Sequence, residues 1–233
     1  MQVETDFKYP ADVVWACAAA ADRINGGYRK TSDWEVDFGN DPEGEFVESP
    51  GNKTRVLRWL SQWKNNQLSK SEVTDQDAVD GNSARAFWQS QMLLLLDDGA
   101  NDYLKACVNA AHLTTVDNLT DVAVIASAIT AAKREARKAE MLEKKHQLNS
   151  KHVCTVGSSV VFDKEIEVID SRYIDKIGSS AVECIVEGNL YMWWSNQHVQ
   201  LGVYKYLKGR VKAHKTDYGT DQAVTQLNYV KVH

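Results

Sequence analysis

The hydrophobic pattern of the chain changes once, near Ser150, and this change constrains the fold more than any other feature. Before it, apolar residues recur with the 3.6-residue period of an amphipathic helix, as at Val14 and Cys17. After it, apolar and polar residues alternate, and β-branched and aromatic residues become frequent. We therefore predict an α+β protein, with an N-terminal all-α domain over residues 1–150 and a small β domain over residues 151–233.

Helix start and stop signals divide the first domain. Pro10 suits the first turn of a helix, and Gly26-Gly27 supplies a left-handed ending for it. Residues 28–53 are acidic and have no period, which predicts a long surface loop. The predicted helices cover residues 11–25, a segment capped by Thr54, a segment capped by Ser83, residues 101–113, and a long segment from Thr120 whose charged end connects the two domains.

Strand signals divide the second domain. Glu187-Gly188-Asn189 predicts a tight hairpin between two of the strands. Five strands in about 80 residues match the size of an oligonucleotide/oligosaccharide-binding (OB) barrel, with an SH3-like barrel as the alternative. The predicted strands are Val160–Ile169, Ala181–Val186, Leu190–Trp194, Tyr204–His214 and Ala223–Val232.

Charge is distributed unevenly along the chain. The formal net charge is −5, of which residues 1–150 contribute −6 (17 Lys and Arg against 23 Asp and Glu) and residues 151–233 contribute +1 (10 against 9). No acidic residue lies between Glu187 and Asp217. The five cations within that stretch predict a basic patch on an acidic protein; they are Lys205, Lys208, Arg210, Lys212 and Lys215.

The fourth predicted strand combines these cations with aromatic residues. Its alternation separates a small apolar face (Leu207, Gly209, Val211, Ala213) from an aromatic and basic face. Aromatic rings can stack on bases, and Lys and Arg neutralise phosphates, so we predict a nucleic-acid-binding face. On the preceding strand, Tyr191 and Trp193 point to one side, and Leu190, Met192 and Trp194 point to the other. The sequence does not settle which side faces outward, but the second set is more typical of a core. The predicted binding residues are Tyr191, Trp193, Tyr204, Tyr206, Lys208, Arg210, Lys212 and His214.

Two other interpretations of this strand remain open. A Lys-rich edge strand can simply prevent edge-to-edge pairing of sheets. The same face can also bind a protein partner, with its tyrosines as the hot spot.

Motifs for catalysis, metals and cofactors are absent from the sequence. The four cysteines lie far apart without a CxxC pair, and no HExxH, GxxxxGK[ST], GxGxxG or GxSxG motif occurs. The acidic residues Asp75, Asp77 and Asp80 lack the glycine and terminal glutamate of a calcium loop and indicate a solvated helix start. We predict a protein that is not an enzyme and has no cofactor and no metal.

Membrane and export signals are also absent. The longest apolar stretches, Ala16–Ala21 and Met92–Leu96, are far shorter than the roughly 20 residues of a spanning helix. The N-terminal sequence has no basic segment followed by an apolar core. We expect a cytoplasmic protein that does not contact membranes.

Both ends of the chain resemble a known group of proteins. The C-terminal pattern G-x-V-K-x-H, spacer, T-Q-L-N-x-V-K and the opening KYPADVVWACAAAADRINGGY resemble a group of tailed-bacteriophage proteins of mostly unassigned function. The spacer between His214 and Thr225 is long for that group. The resemblance implies a C-terminal OB-like, single-strand-binding domain and a host-cell cytoplasmic location, and it carries over no catalytic residue. Here the pattern is carried by Gly209, Val211, Lys212, His214, Thr225, Gln226, Leu227, Asn228, Val230 and Lys231.

The sequence and the resemblance together predict a phage protein that binds nucleic acid, favouring single-stranded DNA over RNA. The helical domain would supply homo-oligomerisation or a docking surface for phage or host proteins of replication, recombination or counter-defence. The alternative is a protein-interaction module without a direct nucleic-acid role.

Overall fold

The computed structural model describes residues 7–37 and 45–233. The chain forms two compact units, Met1–Ala136 and Arg137–His233. The division falls inside the last helix, before the boundary predicted at residue 150. None of the described helices is long and apolar enough to cross a membrane.

Five helices form most of the first unit: α1 (Ala11–Asn25), α2 (Asn52–Lys64), α3 (Asp75–Ser90), α4 (Asp102–His112) and the first part of α5 (Leu119–His146). A 3-10 helix, Met92–Leu95, follows α3. The unit is not all-α, because it also holds two small antiparallel sheets. They pair β1 (Tyr9–Pro10) with β4 (Thr115–Val116), and β2 (Asp33–Asp37) with β3 (Glu45–Ser49).

Helix α1 lies at the centre of the first unit. Its predicted bounds are confirmed, and Gly26, with a φ of 65°, provides the left-handed ending. Val14, Trp15 and Cys17 are fully buried, so burial of an apolar stripe drives the formation of this helix. Helix α3 approaches α1 closely: a Cβ at Gly81 would lie 2.6 Å from the Trp15 carbonyl oxygen.

Several sequence predictions for the first unit are wrong. Helix α3 begins at Asp75 rather than near Ser83, because Thr74 and Asp77 form a capping box there. Asp77 is buried, and its Oδ1 accepts a hydrogen bond from Arg23 Nε at 2.8 Å, so it is not a solvated residue. Residues 28–53 include strands β2 and β3 and are not a continuous loop, while residues 38–44 of that segment lie outside the described residues.

The second unit is built on one curled sheet of seven strands. In order across the sheet they are β5, β10, β11, β8, β7, β6 and β9. Their bounds are β5 (Ser159–Phe162), β6 (Ile166–Ile174), β7 (Ser179–Val186), β8 (Asn189–Ser195), β9 (Gly202–Tyr204), β10 (Leu207–Thr216) and β11 (Ala223–Val232).

The prediction of a five-stranded OB barrel is wrong, although the α+β class is confirmed. The predicted strands Val160–Ile169 and Tyr204–His214 are each two strands, separated by short breaks. The resulting sheet is a half-barrel whose edges are β5 and β9, and it does not close. The predicted hairpin at Glu187 and Gly188 is confirmed, since both residues have positive φ and Val186 pairs with Asn189.

The end of α5 belongs to the second unit. Lys145 is buried, and its Nζ lies 2.5 Å from Glu183 Oε2 on β7 and 3.1 Å from Asp217 Oδ1 after β10. Lys144 forms an ion pair with Glu167 on β6. The last turns of the helix are therefore held to the sheet by two adjacent lysines.

Candidate nucleic-acid interface

Strand β10 presents a row of cations on the outer face of the sheet. Leu207, Gly209 and Val211 are buried, whereas the cations that alternate with them are exposed. The alternation predicted for this strand is therefore confirmed. It brings together four of the eight predicted binding residues, namely Lys208, Arg210, Lys212 and His214.

Strand β11 adds a further cation, Lys231, which is not among the predicted binding residues. Lys208 lies directly opposite Lys231, and both side chains are exposed. Like charges at directly opposed positions of a sheet destabilise it. We call Lys208, Arg210, Lys212 and Lys231 the basic surface. Among the described residues, none of these four cations forms an ion pair with a carboxylate.

A β-bulge lies between the cations of the basic surface. Arg210 follows Lys208 by two residues on β10. Their partners on β11, Asn228 and Lys231, are three residues apart, so β11 carries one extra residue. Tyr229 lies at this bulge, with a φ of 54° and a side chain that is 83% exposed. Gly209 makes room opposite the bulge, since a Cβ there would lie 3.3 Å from both Leu227 Cδ1 and Val230 Cγ2.

Arg210 is positioned by the loop that precedes β5. Its Nε donates a hydrogen bond to the Gly157 carbonyl at 2.7 Å. The loop is itself tied to β10, because Gly157 N donates to the Val211 carbonyl at 2.8 Å and Val211 N donates to the Ser158 carbonyl at 2.9 Å. Within the described part of the chain the two Nη groups of Arg210 have no hydrogen-bond partner, and they remain available to an anion.

Beyond the basic surface, the imidazole of His214 on β10 stacks on the imidazole of His152, which precedes β5. The rings of His214 and His152 are parallel within 1°, with centroids 4.4 Å apart, and both residues are exposed. The Nε2 atom of His152 lies 2.8 Å from the Lys215 carbonyl oxygen, which fixes the ring. Residues 7–37 and 45–233 contain no group of three or more His, Cys, Asp or Glu side chains that could hold a metal ion.

Two of the predicted aromatic residues are core residues. Tyr191 and Trp193 are 1% and 3% exposed and belong to the hydrophobic core of the second unit. Tyr191 packs edge-on against Phe162 at 5.2 Å, and its burial raises the pKa of its hydroxyl. Their assignment to the binding face is wrong, as is the preference for Trp194 as a core residue, since Trp194 is 42% exposed.

The other two predicted tyrosines are half-buried and lie beside β10 rather than on it. Tyr204 ends strand β9, packs against the core and donates its hydroxyl proton to the Gln200 carbonyl at 2.9 Å. Tyr206 lies between β9 and β10, and its ring stacks on His233 at 5.9 Å. Tyr206 N donates to the His233 carbonyl and His233 N donates to the Tyr206 carbonyl, each at 3.1 Å, so this pair continues the β10–β11 ladder. Because the buried Leu207 separates Tyr206 from Lys208, Tyr206 lies on the same side of the strand as Lys208, whereas Tyr204 packs against the core.

Comparison with protein-family models, with curated proteins and with solved structures finds no significant match to this chain. The resemblance to tailed-bacteriophage proteins therefore stays a prediction.

Proposed function

We propose that this protein binds nucleic acid through the basic surface of β10 and β11, and that single-stranded DNA is its preferred ligand. The observation that supports this proposal is the set of four exposed cations on adjacent strands, without a carboxylate partner among the described residues. Lys208 and Lys231 repel each other in the free protein. A phosphate between them would replace this repulsion by attraction.

The length of the basic surface suits a polyanion. Four residue steps separate Lys208 from Lys212, which is about 13 Å along a strand. One strand of B-form DNA places about four phosphates over that length. Cations that contact phosphates release condensed counterions, so binding weakens as the salt concentration rises.

The proposed biological setting follows from the resemblance described above. A tailed phage that replicates in the host cytoplasm exposes single-stranded DNA during replication and recombination. The protein would bind this DNA there, and the helical unit would serve homo-oligomerisation or contacts with phage or host proteins.

Fluorescence anisotropy tests the proposal. We expect the wild-type protein to bind a labelled oligothymidylate more tightly than a duplex of equal length, and to bind both less tightly as salt is raised from about 50 to 200 mM. A labelled RNA of the same length measures the preference for DNA. Absence of binding to all three probes at the lowest salt would contradict the proposal and favour the protein-interaction alternative.

A further inference from the structure

We infer that Tyr229 is a base-stacking residue, which receives an unpaired base of a single strand whose phosphates lie on the basic surface. This inference rests on the proposed function and goes beyond it, because it names the side chain that would distinguish a single strand from a duplex. Four observations support it: the backbone conformation of Tyr229, its exposure, the bulge that holds it and the charges around it.

The backbone conformation of Tyr229 is costly. A φ of 54° is left-handed, and bulky side chains rarely adopt this conformation. Four other described residues besides glycine have positive φ, and all of them lie in turns, bends or loops: Asn66, Cys154, Glu187 and Asp221. Tyr229 adopts it inside strand β11. Strain of this kind persists where the surrounding structure imposes it, and it is frequent at functional sites.

Packing does not explain why a tyrosine occupies this position. The side chain is 83% exposed, whereas its neighbours Val230 and Val232 pack against the core. Within the described residues Tyr229 makes no ring contact and no side-chain hydrogen bond. A small polar residue such as Asn would tolerate the conformation better and lose little buried area.

The bulge places the ring among the cations of the basic surface. Tyr229 lies between Asn228, which is opposite Arg210, and Lys231, which is opposite Lys208, so its position on β11 is flanked by partners of two cations. Bulges commonly redirect a side chain beside a binding site. An exposed aromatic ring among phosphate-binding cations is the arrangement by which proteins hold single strands, because the ring stacks on a base while the cations follow the backbone.

Single-strand preference follows from the same geometry. A base within a duplex is stacked on its neighbours and cannot reach a ring on an open sheet face, whereas the phosphates of a duplex can still contact the cations. Removing the ring should therefore weaken binding of a single strand and leave binding of a duplex unchanged.

The test compares Tyr229→Asn with the matched control Tyr173→Asn. Tyr173 is an exposed tyrosine in strand β6 of the same sheet, and its φ is not positive. We expect Tyr229→Asn to weaken binding of an oligothymidylate by about 5- to 150-fold, the range of a lost stacking contact, and to change duplex binding by less than about twofold. Tyr173→Asn should change neither affinity. Tyr229→Phe should retain single-strand binding, because stacking needs the ring and not the hydroxyl.

Thermal unfolding gives an independent readout. Because Asn tolerates left-handed φ, Tyr229→Asn should melt at the same temperature as the wild type or higher, and a lower temperature would contradict the strain argument. If wild type binds the single strand and Tyr229→Asn binds it equally well, the inference fails while the proposed function stands. If the wild type binds no nucleic acid, the proposed function itself fails.

Discussion

Lys145 and Asp217 are the residues in which buried charge matters most for the second unit. Burial lowers the pKa of Lys145, but hydrogen bonds and charge from Glu183 and Asp217 outweigh it and raise the pKa above its ordinary value. Burial likewise raises the pKa of Asp217, but the Thr220 hydroxyl and Lys145 outweigh it and hold the pKa below the ordinary carboxyl value. Both residues are therefore charged in the folded protein at neutral pH.

This lowered pKa predicts a pH dependence of stability. Since the folded pKa of Asp217 lies below its unfolded value of about 3.9, its contribution is present above that pH and is lost as the pH falls through the folded pKa. At pH 7, Asp217→Asn should lower the free energy of unfolding by about 1–3 kcal/mol, because Lys145 then retains only Glu183 as an ion-pair partner. Between about pH 5 and 2 the difference from wild type should shrink. Urea unfolding across this pH range measures it, and a constant difference would contradict the assignment.

Residue-level predictions depended on whether a strand has one buried face or two. In β10 the apolar and charged residues alternate, so the outward direction of Lys208, Arg210 and Lys212 could be predicted. The run from Leu190 to Trp194 is apolar throughout, and no alternation indicates which side is the core. Tyr191 and Trp193 were therefore misplaced. The outward direction of Tyr229 could have been found from its alternation with Val230 and Val232, but its bulge depends on a partner strand.

At the scale of elements, helices with clear end signals were predictable. Gly26-Gly27 predicts the end of α1 correctly. The Asn101 side chain caps α4, at the start of the helix predicted for residues 101–113. For helix α3 the sequence offers two start signals, Ser83 and the acidic residues from Asp75, and the capping box of Thr74 and Asp77 decides for the earlier one. Ser83 instead donates its hydroxyl proton to the Val79 carbonyl within the helix.

Strand breaks were harder to predict than strands. Two residues, Lys205 and Tyr206, separate β9 from β10, yet β9 pairs with β6 and β10 pairs with β5 and β11. The alternation of apolar and polar residues continues across this break, so the sequence predicts one continuous strand. Strand pairing decides where the break lies, and pairing is a non-local property.

At the scale of the whole molecule, the change in the hydrophobic period and the boundary between the two units lie at different positions in the chain. The period changes near Ser150, where helix gives way to strand, but the second unit begins at Arg137 inside α5. Contacts made by Lys144 and Lys145 place the helix end in the sheet's unit. Whether the sheet closes could not be predicted, because closure depends on strand tilt and stagger rather than on strand number alone.

This division predicts which fragment folds. A chain of residues 137–233 should unfold cooperatively, whereas a chain of residues 151–233 should be less stable by about 3–5 kcal/mol, because Glu183 and Asp217 lose their buried cation. Lys145→Met in the longer chain removes the same charge without shortening the helix and serves as the control. Urea unfolding measures all three chains. Equal stability of the two fragments would show that the helix end is not required by the sheet.

The salt dependence of single-strand binding tests the basic surface most directly. Replacing Lys208, Arg210 and Lys212 with Ala should reduce the slope of log K against log salt by up to about 2, since each phosphate contact with a single strand contributes about 0.7. The control Arg172→Ala/Lys176→Ala removes exposed cations elsewhere in the same unit and should leave the slope unchanged. A slope equal to that of the wild type in the triple variant would contradict nucleic-acid binding by the basic surface.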